Sequence, residues 1–289
     1  MKPAPFVYVA PGSLAEVLEA LGEHGADGKI LAGGQSLVPM MNMRLARPAA
    51  LIDITRVPGL SGIRRGARLT IGATTRQAHV LADPDIAFDF PLIHAALMNV
   101  GHPAIRARGT LGGSVAHADP AGELPAVMLA LGAELVVHGP RGERLVDVDD
   151  FYLTYYTTDL APDEVLVEVL LPAQAPSVWG FREVARRHGD FALSGAVVAC
   201  QTNGGGVVTS ARVVLFGVTD RPVRALRTEE ALIGTALDAA AVRHAASLAP
   251  DRIEFASDIH VPGVYREEAS VALVRRALED AGRRRENGA

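Results

Sequence analysis

A chain of 289 residues suits one large domain or two ordinary ones, and its 49% hydrophobic and 21% charged residues are enough for a full core. A net charge of −5 argues against a nucleic-acid binder, whose footprint is strongly basic, and the best candidate for a membrane span, residues 124–137, is too short and carries Glu134. Residues 1–12 lack a signal-peptide core, so the expected location is cytoplasmic; a single cysteine, Cys200, excludes an internal disulfide or an iron–sulfur site built from several cysteines of this chain.

In chain order, Ser13-Leu14-Ala15-Glu16 reads as a capping box, with Val17, Leu18 and Leu21 behind it at helical spacing and Gly22 and Gly25 as stops. Residues 29–32 form a short apolar strand broken by Gly33-Gly34, after which Ser36 is placed to cap a helix ending before Pro48. Residues 51–54 are another strand, and Ile63 with residues 69–73 makes a hairpin around Arg65-Gly66. Thr75 is placed to cap a helix reaching Ala82, closed by Asp83-Pro84. Residues 91–100 are apolar at helical period, and a loop rich in Gly, His and Pro follows. A helix over residues 123–131 stops at Gly132. Residues 134–138 and 143–148 suit a hairpin, and residues 165–171 one more strand. Pro172-Ala173-Gln174-Ala175-Pro176 is the best linker candidate. Beyond it, residues 181–185, 193–201 and 207–216 read as strands with Asn203-Gly204-Gly205-Gly206 as a turn. Two or three helices close the chain, the last over residues 268–283, followed by a polar, frayed tail. The whole is an α+β pattern whose smaller C-terminal part is an antiparallel sheet on helices.

The segments Leu31-Ala32-Gly33-Gly34-Gln35-Ser36 and Thr110-Leu111-Gly112-Gly113-Ser114 each put paired glycines ahead of an expected helix start. Such pairs let the backbone approach a ligand and turn successive N–H groups into one concavity, an anion nest. Ser36 and Ser114 can add hydroxyls, and two such loops can hold a diphosphate from opposite sides. The G-x-G-x-x-G fingerprint after a strand and the Walker lysine loop are both missing, so nucleotide binding here needs another architecture. His94, His102, His117 and Asp119 match no zinc spacing.

Four stretches in a fixed order carry a family resemblance: AGGQSLVPMMNMRLARPAALIDI (residues 32–54), IGATT (71–75), RGTLGGSVAHADPAGELPA (108–126) and GFREVARRHGDFALSGAVV (180–198). Together they resemble the FAD-binding medium subunit of the molybdenum hydroxylases, that of aerobic carbon monoxide dehydrogenase most closely and the FAD domain of xanthine dehydrogenase more distantly. The resemblance implies a vanillyl-alcohol-oxidase (PCMH)-type FAD-binding domain of two α+β subdomains over residues 1–173. A smaller C-terminal domain of the carbon monoxide dehydrogenase flavoprotein type would follow over residues 174–289. It further implies that Leu31, Ala32, Gly33, Gly34, Gln35, Ser36 and Leu37, with Thr110, Leu111, Gly112, Gly113 and Ser114, grip the pyrophosphate of a non-covalent FAD and its neighbourhood. Glu123 matches an acidic position that contacts FAD, and Leu166 and Arg182 match further contacts. Three positions depart from the pattern: Ala104-Ile105-Arg106-Ala107 stands where Gln-Ile-Arg-Asn is usual, Phe191 where relatives can have Tyr, and Val100 where distant relatives are aromatic.

The function implied is electron transfer. A large partner subunit with a molybdenum cofactor oxidises the substrate, a small partner subunit with two [2Fe–2S] clusters relays electrons, and FAD on this chain passes them to an external acceptor, a quinone, oxygen or NAD. Arg186 and Arg187 are candidates to stabilise reduced flavin. A stand-alone flavin-dependent oxidoreductase and a FAD-free assembly module are the alternatives. Replacing Gly33 or Gly112 by Val is expected to abolish flavin retention with the fold kept.

Overall fold

A computed structural model describes residues 2–288, with side chains for residues 2–284. The chain begins with β1 (Val7–Val9), α1 (Leu14–His24), β2 (Gly28–Leu31), α2 (Leu37–Asn42) and β3 (Ala50–Asp53). The three strands form a parallel sheet in the order β1-β3-β2. The capping box is present in altered form. Ser13 Oγ accepts from Glu16 N at 3.2 Å, but the Glu16 carboxylate reaches back to Gly12 N, at 2.7 Å, and Gly25 rather than Gly22 ends the helix.

Next come β4 (Ile63–Arg65), β5 (Leu69–Gly72), α3 (Gln77–Ala82), α4 (Pro84–Asp89), α5 (Pro91–Leu97), α6 (Pro103–Arg106), α7 (Leu111–His117) and α8 (Glu123–Leu131). Then follow β6 (Glu134–Gly139), β7 (Gly142–Asp147), α9 (Val148–Phe151), β8 (Tyr152–Thr154), β9 (Thr157–Thr158) and β10 (Val165–Leu170). An antiparallel sheet ordered β4-β5-β10-β6-β7 is the backbone of this part. Strand alternation buries both of its faces. Leu135, Val137, Leu166 and Val169 join the core under α5, α7 and α8, whereas Val136, Val165 and Val167 join the core under α1 and β3.

The last part is β11 (Val178–Val184), β12 (Ser194–Thr202), β13 (Val208–Phe216), β14 (Val223–Arg224), α10 (Leu226–Leu232), α11 (Ala239–Ser247) and α12 (Gly263–Gly288). Its antiparallel sheet is also buried twice. Val197, Ala199, Val214 and Phe216 pack toward α8, and Ala196, Val198, Cys200 and Val213 pack toward α11 and α12. All nine residues of α8 are buried, as expected for a helix enclosed between two sheets.

Four local expectations are corrected and one, at Asp83, is extended. Ser36 adopts helical φ/ψ and caps nothing with its side chain, and its helix stops at Asn42, with Arg44 in the left-handed region. Thr75 caps no helix: its hydroxyl accepts from Gly62 N at 2.9 Å and donates to Gly62 O at 3.1 Å, while Arg76 takes the N-cap place. Asp83 not only closes α3 but caps α4, accepting from Asp85 N and Ile86 N. The loop rich in Gly, His and Pro contains α6, with Pro103 at its first turn. At the other end, α12 continues past Arg283 to Gly288, and Ala289 lies outside the described residues.

Candidate functional site

The segment leaving β2 is half-buried, and its backbone is unpaired. Among the described residues, the N–H groups of Gly33, Gly34, Gln35, Ser36 and Leu37 find no acceptor in the chain; pairing resumes with Val38 N to Gly34 O at 3.1 Å. Gln35 folds back, its Nε2 donating to Gly33 O at 3.1 Å. Gly34 has φ of 73°, the left-handed conformation by which a glycine loop can turn successive amides toward one side. Five adjacent unpaired donors have the chemistry of an anion cradle, because leaving them unmet costs free energy. With only six residues, α2 adds little dipole behind them.

The second glycine segment meets the first. A Cβ added to Gly33 would stand 2.5 Å from Arg108 O and 3.0 Å from Thr110 N, and one added to Gly113 would stand 3.4 Å from Ala32 Cβ. The expectation of two similar nests is nevertheless corrected, because the amides of the second segment are spent inside the fold. Leu111 N donates to Thr75 O and Gly112 N to Ala73 O, each at 3.0 Å; Gly113 N donates to Thr110 Oγ1 at 3.1 Å and Ser114 N to Thr110 O at 3.2 Å. Thr110 N alone stays unpaired. Gly112 is a packing glycine: an added Cβ would lie 2.5–2.7 Å from the backbone and Cβ of Ala73. Gln77 is buried against the second segment and donates to Ser114 Oγ at 2.8 Å.

An open cleft of about 340 Å³ runs along the first segment, lined by Gly33, Gly34 and Gln35 and by three charged residues, Asp53, Arg76 and Arg108. Arg76 extends to the Arg108 carbonyl and ties the cleft floor to the second segment. Burial works against ionisation of Asp53, but hydrogen bonds from Thr55 and from the Tyr8 hydroxyl outweigh it and hold its pKa below the usual carboxylate range. Arg76, Arg108 and Asp53 were not singled out by sequence reasoning. The signal for Arg76 was its place directly after IGATT, where it forms a bridge with Thr110.

The remaining candidate residues lie farther along the chain's fold. Glu123 opens α8 and is 8% exposed. Burial, then the charges of Glu183 and Asp119, push its pKa up to about 8. Leu166 puts its side chain in the core, next to a bulge between Leu166 and Glu168. Arg182 is ion-paired to Asp280 of α12 at 2.7 Å. Glu183 points to the opposite side of the strand, shared with Phe181, which stacks on Phe216 in the core beneath α8. Arg186 is exposed and contacts His260 Nδ1 at 2.7 Å, and Phe191 is exposed.

The family model described as the FAD binding domain in molybdopterin dehydrogenase matches residues 4–174, and that of the CO dehydrogenase flavoprotein C-terminal domain matches residues 179–281. The 6-hydroxypseudooxynicotine dehydrogenase complex subunit alpha of Paenarthrobacter nicotinovorans is 38% identical over 97% of this chain and 96% of its own length. The carbon monoxide dehydrogenase medium chain of Hydrogenophaga pseudoflava is also 38% identical, over 97% of this chain and 98% of its own. A structure of carbon monoxide dehydrogenase from Hydrogenophaga pseudoflava lacking the Mo-pyranopterin moiety superposes with a TM-score of 0.93 at 39% identity, covering 98% of this chain and 99% of that one. The unpaired amides and the arginines beside them fit the diphosphate of a dinucleotide, and with these likenesses the chain belongs to the family of FAD-binding medium subunits of molybdenum hydroxylases, as an oxidoreductase subunit.

Proposed function

We propose that this chain is the electron-transferring FAD subunit of a molybdenum-containing hydroxylase. In this reading, a large partner subunit holds the molybdenum cofactor and oxidises the substrate. A small partner subunit carries [2Fe–2S] clusters, and an external acceptor (a quinone, oxygen or NAD) receives the electrons. Relatives named as a medium chain and as a complex subunit support a multi-subunit role. Bound FAD supplies the redox chemistry, and the protein supplies position and electrostatics.

The unpaired amides of Gly33, Gly34, Gln35, Ser36 and Leu37 carry this proposal. We assign them to the diphosphate, with Arg76 and Arg108 offsetting its charge and Thr110 N and the Ser114 hydroxyl approaching from the second segment. Hydrogen bonds to a charged group contribute about 1.5–3 kcal/mol each, so a few suffice for firm retention. Glu123 takes the deeper end of the site, beyond α7, and Leu31, Ala32, Leu111, Gly112 and Gly113 hold the two segments in place. Leu166 shapes the wall through its backbone at the bulge, and Arg182 steadies β11 through Asp280.

The test is anaerobic. Purified with its partner subunits, the chain should show flavin absorption that bleaches on adding the holoenzyme's substrate; alone, it should stay oxidised with the same substrate. Bleaching of the isolated chain by an organic substrate would make it a stand-alone oxidoreductase. A colourless chain that takes up no added FAD would make it an assembly module.

A further inference from the structure

Gln77 opens α3 and is 2% exposed, yet its polar groups serve the second glycine segment. Its backbone N donates to Gly109 O at 2.9 Å, and its side-chain Nε2 donates to Ser114 Oγ at 2.8 Å. Its Oε1 is fully enclosed and has no hydrogen-bond partner. The residue before it, Arg76, bridges to Thr110 and reaches the Arg108 carbonyl, so the backbone around both ends of this contact is fixed. The first segment touches the same place. A Cβ added to Gly33 would stand 2.7 Å from Gly109 Cα, and one added to Gly109 would stand 2.6 Å from Gln77 Oε1. Gly109, having no side chain, therefore lies in contact with both the cradle loop and the Gln77 carboxamide.

A serine hydroxyl has one proton to give and lone pairs to receive with. Ser114 Oγ receives from Gln77, and among the described residues its own proton has no acceptor. Turning the carboxamide over would hand that proton to Oε1. The orientation present leaves the proton free at the cost of a buried acceptor without a donor, a combination that points to an acceptor arriving from outside the chain. The unpaired Thr110 N and the amides of residues 33–37 are donors too, so that acceptor is an anion. We propose that Gln77 is a positioning residue of the dinucleotide site: its carboxamide N–H occupies a lone pair of Ser114 Oγ and so commits the Ser114 proton to the diphosphate. This rests on the FAD reading above, in which the Ser114 hydroxyl approaches the diphosphate from the second segment. Gln77 touches no cofactor atom itself; it acts through Ser114, and its contact with Gly109 seats the second segment against Gly33.

Fluorescence titration of the flavin-free full chain with FAD tests this. Gln77→Met keeps the bulk and removes the donor. It should weaken FAD binding at least ~5-fold when Ser114 is present but less than ~2-fold in a Ser114→Ala background, a coupling that a packing role would not produce. Gln77→Glu has the same shape and supplies a donor only when protonated. It should match wild type near about pH 5 and bind at least ~10-fold more weakly near about pH 8. No loss in Gln77→Met, or the same loss with and without the Ser114 hydroxyl, overturns the assignment. If Gln77→Met does not fold, a Gln77→Glu chain whose affinity relative to wild type is the same at both pH values overturns it. A wild-type chain that folds yet takes up no FAD overturns the flavin reading instead.

Discussion

Replacing Gly34 by Ala would force an L side chain to φ of 73° and press a methyl on Leu31 and Val38 at 3.3 Å. The strain is about 1–2 kcal/mol and falls on the loop that presents the unpaired amides. We expect Gly34→Ala to weaken FAD binding at least ~10-fold with little change in melting temperature, measured by fluorescence titration and calorimetry; unchanged affinity would remove Gly34 from the site. Gly112→Ala should do the reverse. Its methyl meets the Ala73 backbone, so the melting temperature falls and flavin loss follows from unfolding. This replaces the expectation that Gly112→Val spares the fold. Both glycine pairs stand out in the sequence, but their division of labour does not, because it depends on a turn at Ala73 nearly forty residues upstream. Cys200 behaves as its composition suggests: it is 1% exposed, burial pushes its thiol up to about 12, and it should resist thiol reagents until the protein unfolds, with Cys200→Ala retaining flavin.

Elements announced by local chemistry were legible. The Ser13 cap, the helix ended by Gly132 and the hairpin of β6 and β7 follow from capping, left-handed stops and turn residues that act within a few positions. The Ser36 and Thr75 caps were not, because both residues are claimed by contacts or conformations that the neighbouring sequence does not specify. The join between α9 and β13 was invisible for the same reason. Arg212 donates to Leu129 O at 3.0 Å and to both oxygens of Asp149 at 3.0 and 2.8 Å, and Arg224 reaches Asp149 while pairing with the buried Glu229 at 2.6 Å. Asp149→Ala leaves two partly buried guanidinium groups without that acceptor and should cost about 1–2 kcal/mol, read as a fall in the denaturation midpoint at unchanged slope. A neutral result would show that apolar packing alone joins the two sheets.

At the scale of the molecule, α8 lies between two sheets buried on both faces, so the FAD-binding part and the C-terminal sheet share one core. That arrangement encloses Glu123 and Glu183 and gives stability a definite pH dependence. A carboxyl raised in the folded state binds protons more tightly there than in the unfolded chain, so its contribution is full below the ordinary glutamate value near 4.5 and is lost as pH rises through about 7 and 8. At Asp258, burial is outweighed by the Val261 and His260 amides and by Arg266, which hold it at about 2, so its contribution is lost as pH falls below 3.8. Stability should therefore peak in the mildly acidic range and decline toward pH 8, with a flatter alkaline limb in Glu183→Gln; a wild-type optimum above pH 8 would contradict the two burials. Phe181 and Glu183 share one face of β11 by strand alternation, yet which face met α8 depended on the docking of the C-terminal sheet, and the sequence did not specify that.

Hydrogen–deuterium exchange of the chain with and without FAD bears most directly on the cradle. The account predicts fast exchange at Gly33, Gly34, Gln35, Ser36 and Leu37 in the flavin-free chain and strong protection of those amides on adding FAD, with a smaller change at the already paired Gly112, Gly113 and Ser114. FAD bound with the amides of residues 33–37 still exchanging freely would contradict it.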